Sequence, residues 1–222
     1  MEKGIIISSE SEYIDYKKTK ENNIKFIMIR AGYTSYGKDK VKYKDSKFDI
    51  NYRLAKKNNI KIGAFYESCA VNEKEALEEA IFFNKLITNK KLSCPIAMMV
   101  KDDHSTIIYS NKNQKNLSKE KLSNIINTFF NKMNEYGYKV LLISYKNWFD
   151  NILNYEIEKY NNIILPDDYN LSHNLYSDNV IYMYNFIESI KINLKEESLF
   201  SKVKRIINIP IKLIKYRVNK KK

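Results

Sequence analysis

Short apolar runs alternate with longer stretches in which apolar residues recur every three or four positions. The runs read as buried strands and the 3.6-residue rhythm as helices laid against them. Strands are predicted over residues 4–7, 25–30, 61–66, 95–100 and 139–144, with helices over 13–22, 45–57, 73–87 and 119–136. Asn72 stands where the third helix needs a cap, Ser118 does so for the fourth, and Gly137 supplies a stop signal. A further helix is predicted over 146–159. Beyond it the rhythm weakens, leaving short strands near 163–165 and 180–184. Strands alternating with helices in this way predict an α/β protein built on a parallel sheet.

A chain of 222 residues suits one single-core domain rather than two. Its formal charge of +13 is unevenly placed. After Glu197, the last acidic residue, come nine Lys or Arg. The remaining 30 basic and 26 acidic residues leave the body at only +4. Any attraction for anions is therefore expected of the C-terminal segment first. Cys69 and Cys94 fit no disulfide framework or metal spacing and read as buried thiols. His104 and His173 are isolated, and Ser8, Ser9 and Ser11 form no nucleophile motif, so no metal or cofactor is expected. Trp148 reads as core rather than as a stacking platform. Residues 1–11 lack a basic start followed by a long apolar run, and no stretch approaches a membrane span, so a cytoplasmic or inner-leaflet location is expected.

Several short motifs occur in a particular order. They are Gly4-Ile5-Ile6-Ile7-Ser8, Ile14-Asp15-Tyr16, Ile24-Lys25-Phe26, Ile29-Arg30-Ala31-Gly32-Tyr33, and Ile60-Lys61-Ile62-Gly63-Ala64-Phe65-Tyr66. Phe48, Asn51 and Ala55 stand between the last two, and Leu117-Ser118-Lys119-Glu120 and Gly137-Tyr138 follow. In that order and spacing the chain resembles the Chalaropsis-type lysozymes, glycoside hydrolase family 25, over roughly residues 3–186. The resemblance implies an irregular TIM-like β/α barrel, placed over residues 1–197, and the charge pattern marks 198–222 as a basic extension. The resemblance also implies an acid on the first strand and an Asp-x-Glu pair at the end of the fourth strand, the one that starts at residue 95. Those positions hold Ile6, Met99 and Lys101 here. The family's late Trp-Gln-Tyr strand is matched by Tyr184-Asn185-Phe186, and its final acid has no clear counterpart.

Cleavage of a glycosidic bond needs one group to protonate the leaving oxygen and another to stabilise the positive anomeric centre. Lysine at 101 suits neither role, because its ammonium opposes the developing charge and donates a proton poorly. Glu67 and Asp103 are the candidates to replace the lost acids. Asp102 is expected to face away from the site by strand alternation. Arg30, Tyr33, Tyr66, Lys101 and Tyr184 are the expected lining of a ligand groove, since barrel sites form at strand ends.

In the extension, Val203, Ile206, Ile207, Ile211, Ile214 and Val218 alternate with Lys202, Lys204, Arg205, Lys212, Lys215 and Arg217. This spacing predicts an amphipathic helix interrupted at Pro210, suited either to an anionic membrane surface or to packing on the barrel. No nucleic-acid recognition motif accompanies the charge. The leading expectation is a lysozyme-like protein without hydrolytic activity that binds a cell-wall or surface glycan or a protein partner. A divergent N-acetylmuramidase acting on peptidoglycan and a structural or assembly module are the alternatives.

Overall fold

The computed structural model describes residues 2–11, 13–36, 39–101, 113–154, 162–165, 167 and the backbone of 180–183. Its strands are β1 (Glu2–Ile7), β2 (Phe26–Thr34), β3 (Lys42–Lys44), β4 (Lys61–Ser68), β5 (Ile96–Val100), β6 (Val140–Tyr145), β7 (Asn162–Leu165) and β8 (Val180–Met183). Among the described residues, four α-helices complete the frame: α1 (Tyr16–Glu21), α2 (Phe48–Lys57), α3 (Glu73–Ile87) and α4 (Lys119–Glu135). The strands form one sheet in the order β7-β6-β5-β4-β2-β1-β8, with β3 paired to β2 outside that path. From β7 to β1 every pairing along the path is parallel, and β8 runs antiparallel to β1. The edge strands β7 and β8 come within 8 Å of each other, Cα to Cα, so the sheet curls toward a barrel. The α/β barrel-like fold is thus the observed one.

The helices begin where side chains can accept the free N–H groups of the first turn. Asp15 accepts from Lys17 N and Lys18 N, which starts α1 three residues later than its apolar pattern suggests. Asn72 accepts from Glu75 N at 2.9 Å, and Ser118 from Lys121 N at 3.2 Å. Gly137 ends the α4 turn at φ +85°, a conformation open to glycine. The helix predicted over 146–159 is shorter in its described part: a π turn over Trp148–Ile152 ends at Leu153, whose backbone is extended.

Side chains of the strands alternate between two buried layers. Ile5, Ile7, Ile27, Ile29, Ile62, Ala64, Met98 and Leu142 join the helices in one core, where Trp148 also lies. Ile6, Phe26, Met28, Phe65, Ala97, Met99, Leu141 and Ile143 are equally buried and fill the interior of the curl. Small residues there make room for large ones. A Cβ at Gly63 would lie 2.3 Å from Met28 Sδ and 2.7 Å from the Pro95 carbonyl oxygen. The sulfur could swing away, but the carbonyl belongs to the backbone. Gly63→Ala is therefore expected to destabilise by about 1–3 kcal/mol, the usual range for overpacking. A urea midpoint unchanged from wild type would show that Pro95 yields freely.

Both cysteines are free and buried. Among the described residues, no helix is long and apolar enough to cross a membrane and no His/Cys/Asp/Glu cluster could hold a metal ion. Asp102, Asp103, His104, His173, Tyr184 and the whole of 198–222 lie outside the described residues.

Candidate functional site

The parallel strands deliver their C-terminal ends to one edge of the sheet, and the polar residues of the interior gather there. A bulge sets the pattern. Along β2, Arg30 pairs with Phe65 of β4, but Gly32 pairs with Tyr66 and Tyr33 with Glu67. The extra residue between Arg30 and Gly32 reverses the alternation. Tyr33 therefore shares the inner face with Arg30, whose guanidinium lies 4.7 Å from the Tyr33 ring centroid. Tyr33 stacks in turn on Tyr43 of β3, with ring centroids 5.5 Å apart.

Arg30 is 2% exposed and spends every nitrogen on a partner. Its Nε donates to Asp45 Oδ2 at 2.9 Å and its Nη1 to Glu67 Oε2 at 2.7 Å. Its Nη2 donates to Glu10 Oε1 at 2.7 Å and to Ser9 Oγ at 3.1 Å. Glu67 is also met by Lys101 Nζ at 3.4 Å and by the Tyr36 hydroxyl at 3.2 Å. Asp45 additionally accepts the backbone N–H groups of Ser9 and Lys47. Burial works to raise the Glu67 pKa, but Lys101 and Arg30 outweigh it, and the carboxyl lies below the ordinary carboxylate range. Glu67 is therefore an anion at neutral pH.

Two of the residues expected to line a groove are absorbed into this cluster: Arg30 is its centre, and Lys101 is 7% exposed against Glu67. Tyr66 requires a correction. It follows the outer rows of β4, is fully buried, and packs on Phe82 and Phe83 of α3 and Phe129 of α4. Its hydroxyl sits 2.8 Å from Thr34 Oγ1, so it does not reach the mouth. Strand alternation explains the difference, because only one of Tyr66 and Glu67 can face inward. Ile6 and Met99 are both fully buried in the apolar interior. Sequence reasoning missed Asp45, Ser9 and Glu10. Asp45 sits in a Lys-Asp-Ser-Lys turn that reads as a helix start, and nothing local shows that its carboxylate answers an arginine 15 residues earlier.

Among the described residues the cluster holds two cations, Arg30 and Lys101, and three carboxylates, Glu10, Asp45 and Glu67. Asp45 and Glu67 are buried, whereas the Glu10 side chain is 58% exposed. Each carboxylate is thus already matched within the protein.

Among solved structures, the chain is similar to the modular autolysin LytC from Streptococcus pneumoniae, solved in complex with a synthetic peptidoglycan ligand. The TM-score is 0.64 at 24% identity, over 78% of this chain and 39% of that one. The spore cortex lytic enzyme SleM from Clostridium perfringens gives a TM-score of 0.64 at 14% identity, over 85% of this chain and 68% of SleM. A family 25 glycosyl hydrolase from Bacillus anthracis gives 0.59 at 20% identity, over 81% and 75%. The chain thus spans well under half of LytC, and these likenesses establish a common fold. No curated protein sequence matches the chain. The family model described as glycosyl hydrolases family 25 matches residues 5–190, and on that match the chain belongs to this family.

Proposed function

We propose that this chain is a lysozyme-like protein that binds a cell-wall or surface glycan at the barrel mouth without cutting it. The observation that carries this reading is the state of Glu67. A general acid must hold a proton near neutral pH, and Glu67 is kept ionised between Arg30 and Lys101. As an anion it is also poorly suited to stabilise an oxocarbenium-like centre, because two cations already compensate its charge. The positions that the family resemblance assigns to acids hold buried Ile6 and Met99 and the ammonium of Lys101. Asp103, the other candidate acid, lies outside the described residues. Tyr43, 45% exposed and stacked on Tyr33, offers a flat aromatic face beside the cluster on which a sugar ring can rest.

Because the LytC structure holds a synthetic peptidoglycan ligand, peptidoglycan is the first glycan to test. Purified cell walls incubated with the protein are expected to release no reducing ends above a heat-denatured control, while the protein sediments with them. Tyr43→Ala is expected to weaken that sedimentation. Turnover abolished by Glu67→Gln or Asp103→Asn would establish the divergent N-acetylmuramidase instead. Absence of both turnover and binding would leave the barrel as an assembly module or a surface for a protein partner.

The same reading places the protein at the inner membrane leaflet through residues 198–222, on sequence grounds. Each Lys or Arg near an anionic leaflet contributes about 1 kcal/mol, and the Ile and Val stripe adds apolar contact. Full-length protein is expected to sediment with anionic vesicles, less so as salt rises, and a chain truncated after residue 197 is expected to stay in solution. Equal sedimentation of the two forms would reject the membrane role.

A further inference from the structure

The last two residues of β4 point in opposite directions. Glu67 faces the mouth, and Ser68 faces α3. Ser68 Oγ donates to Glu79 Oε2 at 2.5 Å, and the Cys69 N–H donates to Glu79 Oε1 at 3.1 Å. Glu79 is 1% exposed, on the buried side of α3. Both of these donors are neutral. Desolvation therefore dominates, and despite the hydrogen bonds and nearby Lys40 the Glu79 carboxyl is pushed up to about 7.

Lys40 approaches from the connection between β2 and β3. Its Nζ donates to the Cys69 carbonyl oxygen at 2.8 Å. Its backbone has φ +46°, in the left-handed region that non-glycine residues enter rarely. Lys40 and Glu79 line one cavity of about 210 Å³ with Thr34, large enough for several waters. The other charged groups at this cavity are Asp39 beside Lys40, Lys42 of β3, and Glu75 and Glu78 of α3. Lys42 is already bonded to Glu78 at 2.9 Å, and Glu75 accepts the Val71 N–H at the helix start. Tyr66 of β4 and Cys69 just after it flank Glu79 with high, un-ionised pKa values, and Glu67 lies on the opposite face of that strand. Gln114 adds a neutral amide, at 3.4 Å from Ser68 Oγ. A buried carboxylate formed here needs a counter-ion. Lys40 fits that need best, since its present partner is a neutral carbonyl.

We propose that Glu79 and Lys40 form a pH-operated latch on the helix side of the sheet. As the neutral acid, Glu79 ties α3 to the end of β4 through Ser68 and Cys69. As the carboxylate, it draws Lys40 off the Cys69 carbonyl and across the cavity, its proton leaving to solvent through the same opening. The latch acts on Ser68 and Cys69, the residues that directly follow Glu67.

The test is an NMR titration of the full-length protein from pH 5 to 9, following the Cys69 amide and the Glu side-chain carboxyl carbons. One Glu carboxyl carbon and the Cys69 amide are expected to move together with a midpoint near 7. Both movements should vanish in Glu79→Gln. Lys40→Met should shift the common midpoint to higher pH, because it removes the counter-ion without touching the acid. A Cys69 amide that does not titrate in this range would overturn the latch, as would a midpoint indifferent to Lys40→Met. These two readouts decide the matter even if Glu79→Gln fails to fold.

Discussion

Arg30→Leu is expected to destabilise the protein by about 3–5 kcal/mol, the usual loss when one partner of a buried ion pair is removed. Leucine retains much of the apolar bulk but none of the charge. Asp45 and Glu67 would remain buried, at 1% and 5% exposure, with their main cation gone. Lys101 still meets Glu67, from 3.4 Å. Against a total stability of about 5–15 kcal/mol for a domain, a loss of that size can decide whether it folds. Arg30→Lys should recover only part of it. One ammonium cannot replace a planar fork that reaches Asp45, Glu67, Glu10 and Ser9 from three nitrogens. Urea denaturation at pH 7 measures the loss. Adding Asp45→Asn and Glu67→Gln to Arg30→Leu should restore only part of the stability, because the stranded carboxylates go with their partner but the buried Lys101 then loses Glu67. A loss below about 1 kcal/mol for Arg30→Leu alone would mean that water screens the cluster despite its burial.

The cluster also shows why the fold was more legible in the sequence than the site. Elements carried by local pattern were readable: the Asn72 and Ser118 caps, the Gly137 stop, and the apolar runs that became β1, β4, β5 and β6. β3 escaped because three residues, Lys42-Tyr43-Lys44, are too few and too polar to form an apolar run. Their strand character comes from pairing with β2 rather than from their own composition. The helix start at 13–15 was misjudged for a related reason. Asp15 competes for the first free N–H groups and moves the boundary inward.

At the site, Glu67 could be singled out because it ends a strand, and strand ends host barrel chemistry. Its neighbour Tyr66 could not be placed correctly without fixing which parity faces inward. The bulge after Arg30 compounds this, since it puts Arg30 and Tyr33 on one face although three positions separate them. The pairing of Arg30 with Asp45, Glu67 and Glu10 joins residues 15, 37 and 20 positions apart, and charge in the sequence gives no hint of such partners. Glu79 was hidden more completely. In the Lys-Glu-Ala-Leu-Glu-Glu-Ala segment it reads as one of several solvated helix acids, and only the packing of α3 turns it inward.

Glu79→Gln is expected to make the protein more stable at alkaline pH and to flatten its pH dependence. The folded-state pKa is raised, from 4.5 to about 7. Its favourable contribution is therefore complete below about pH 4.5 and is lost as pH rises through about 7. A shift of that size corresponds to about 3 kcal/mol between the two limits. The full figure is appropriate because the side chain is almost wholly excluded from solvent. Glutamine keeps one acceptor, its Oε1, for the Cys69 N–H, while its Nε2 meets Ser68 Oγ as a donor, and it cannot ionise. At pH 5 the variant should match wild type or fall slightly below it, since it loses the acid's short bond to Ser68. At pH 8.5 it should exceed wild type by about 2–3 kcal/mol. Glu67 does not imitate this signature. Its pKa is lowered, so its contribution is present above the unfolded carboxylate range and is lost only as pH falls through its depressed folded value. The difference between the wild-type and Glu79→Gln curves between pH 5 and 8.5 therefore isolates Glu79. Parallel curves over that interval would mean that Glu79 ionises at an ordinary carboxylate pH and that the pocket beside it is wet enough to solvate the charge.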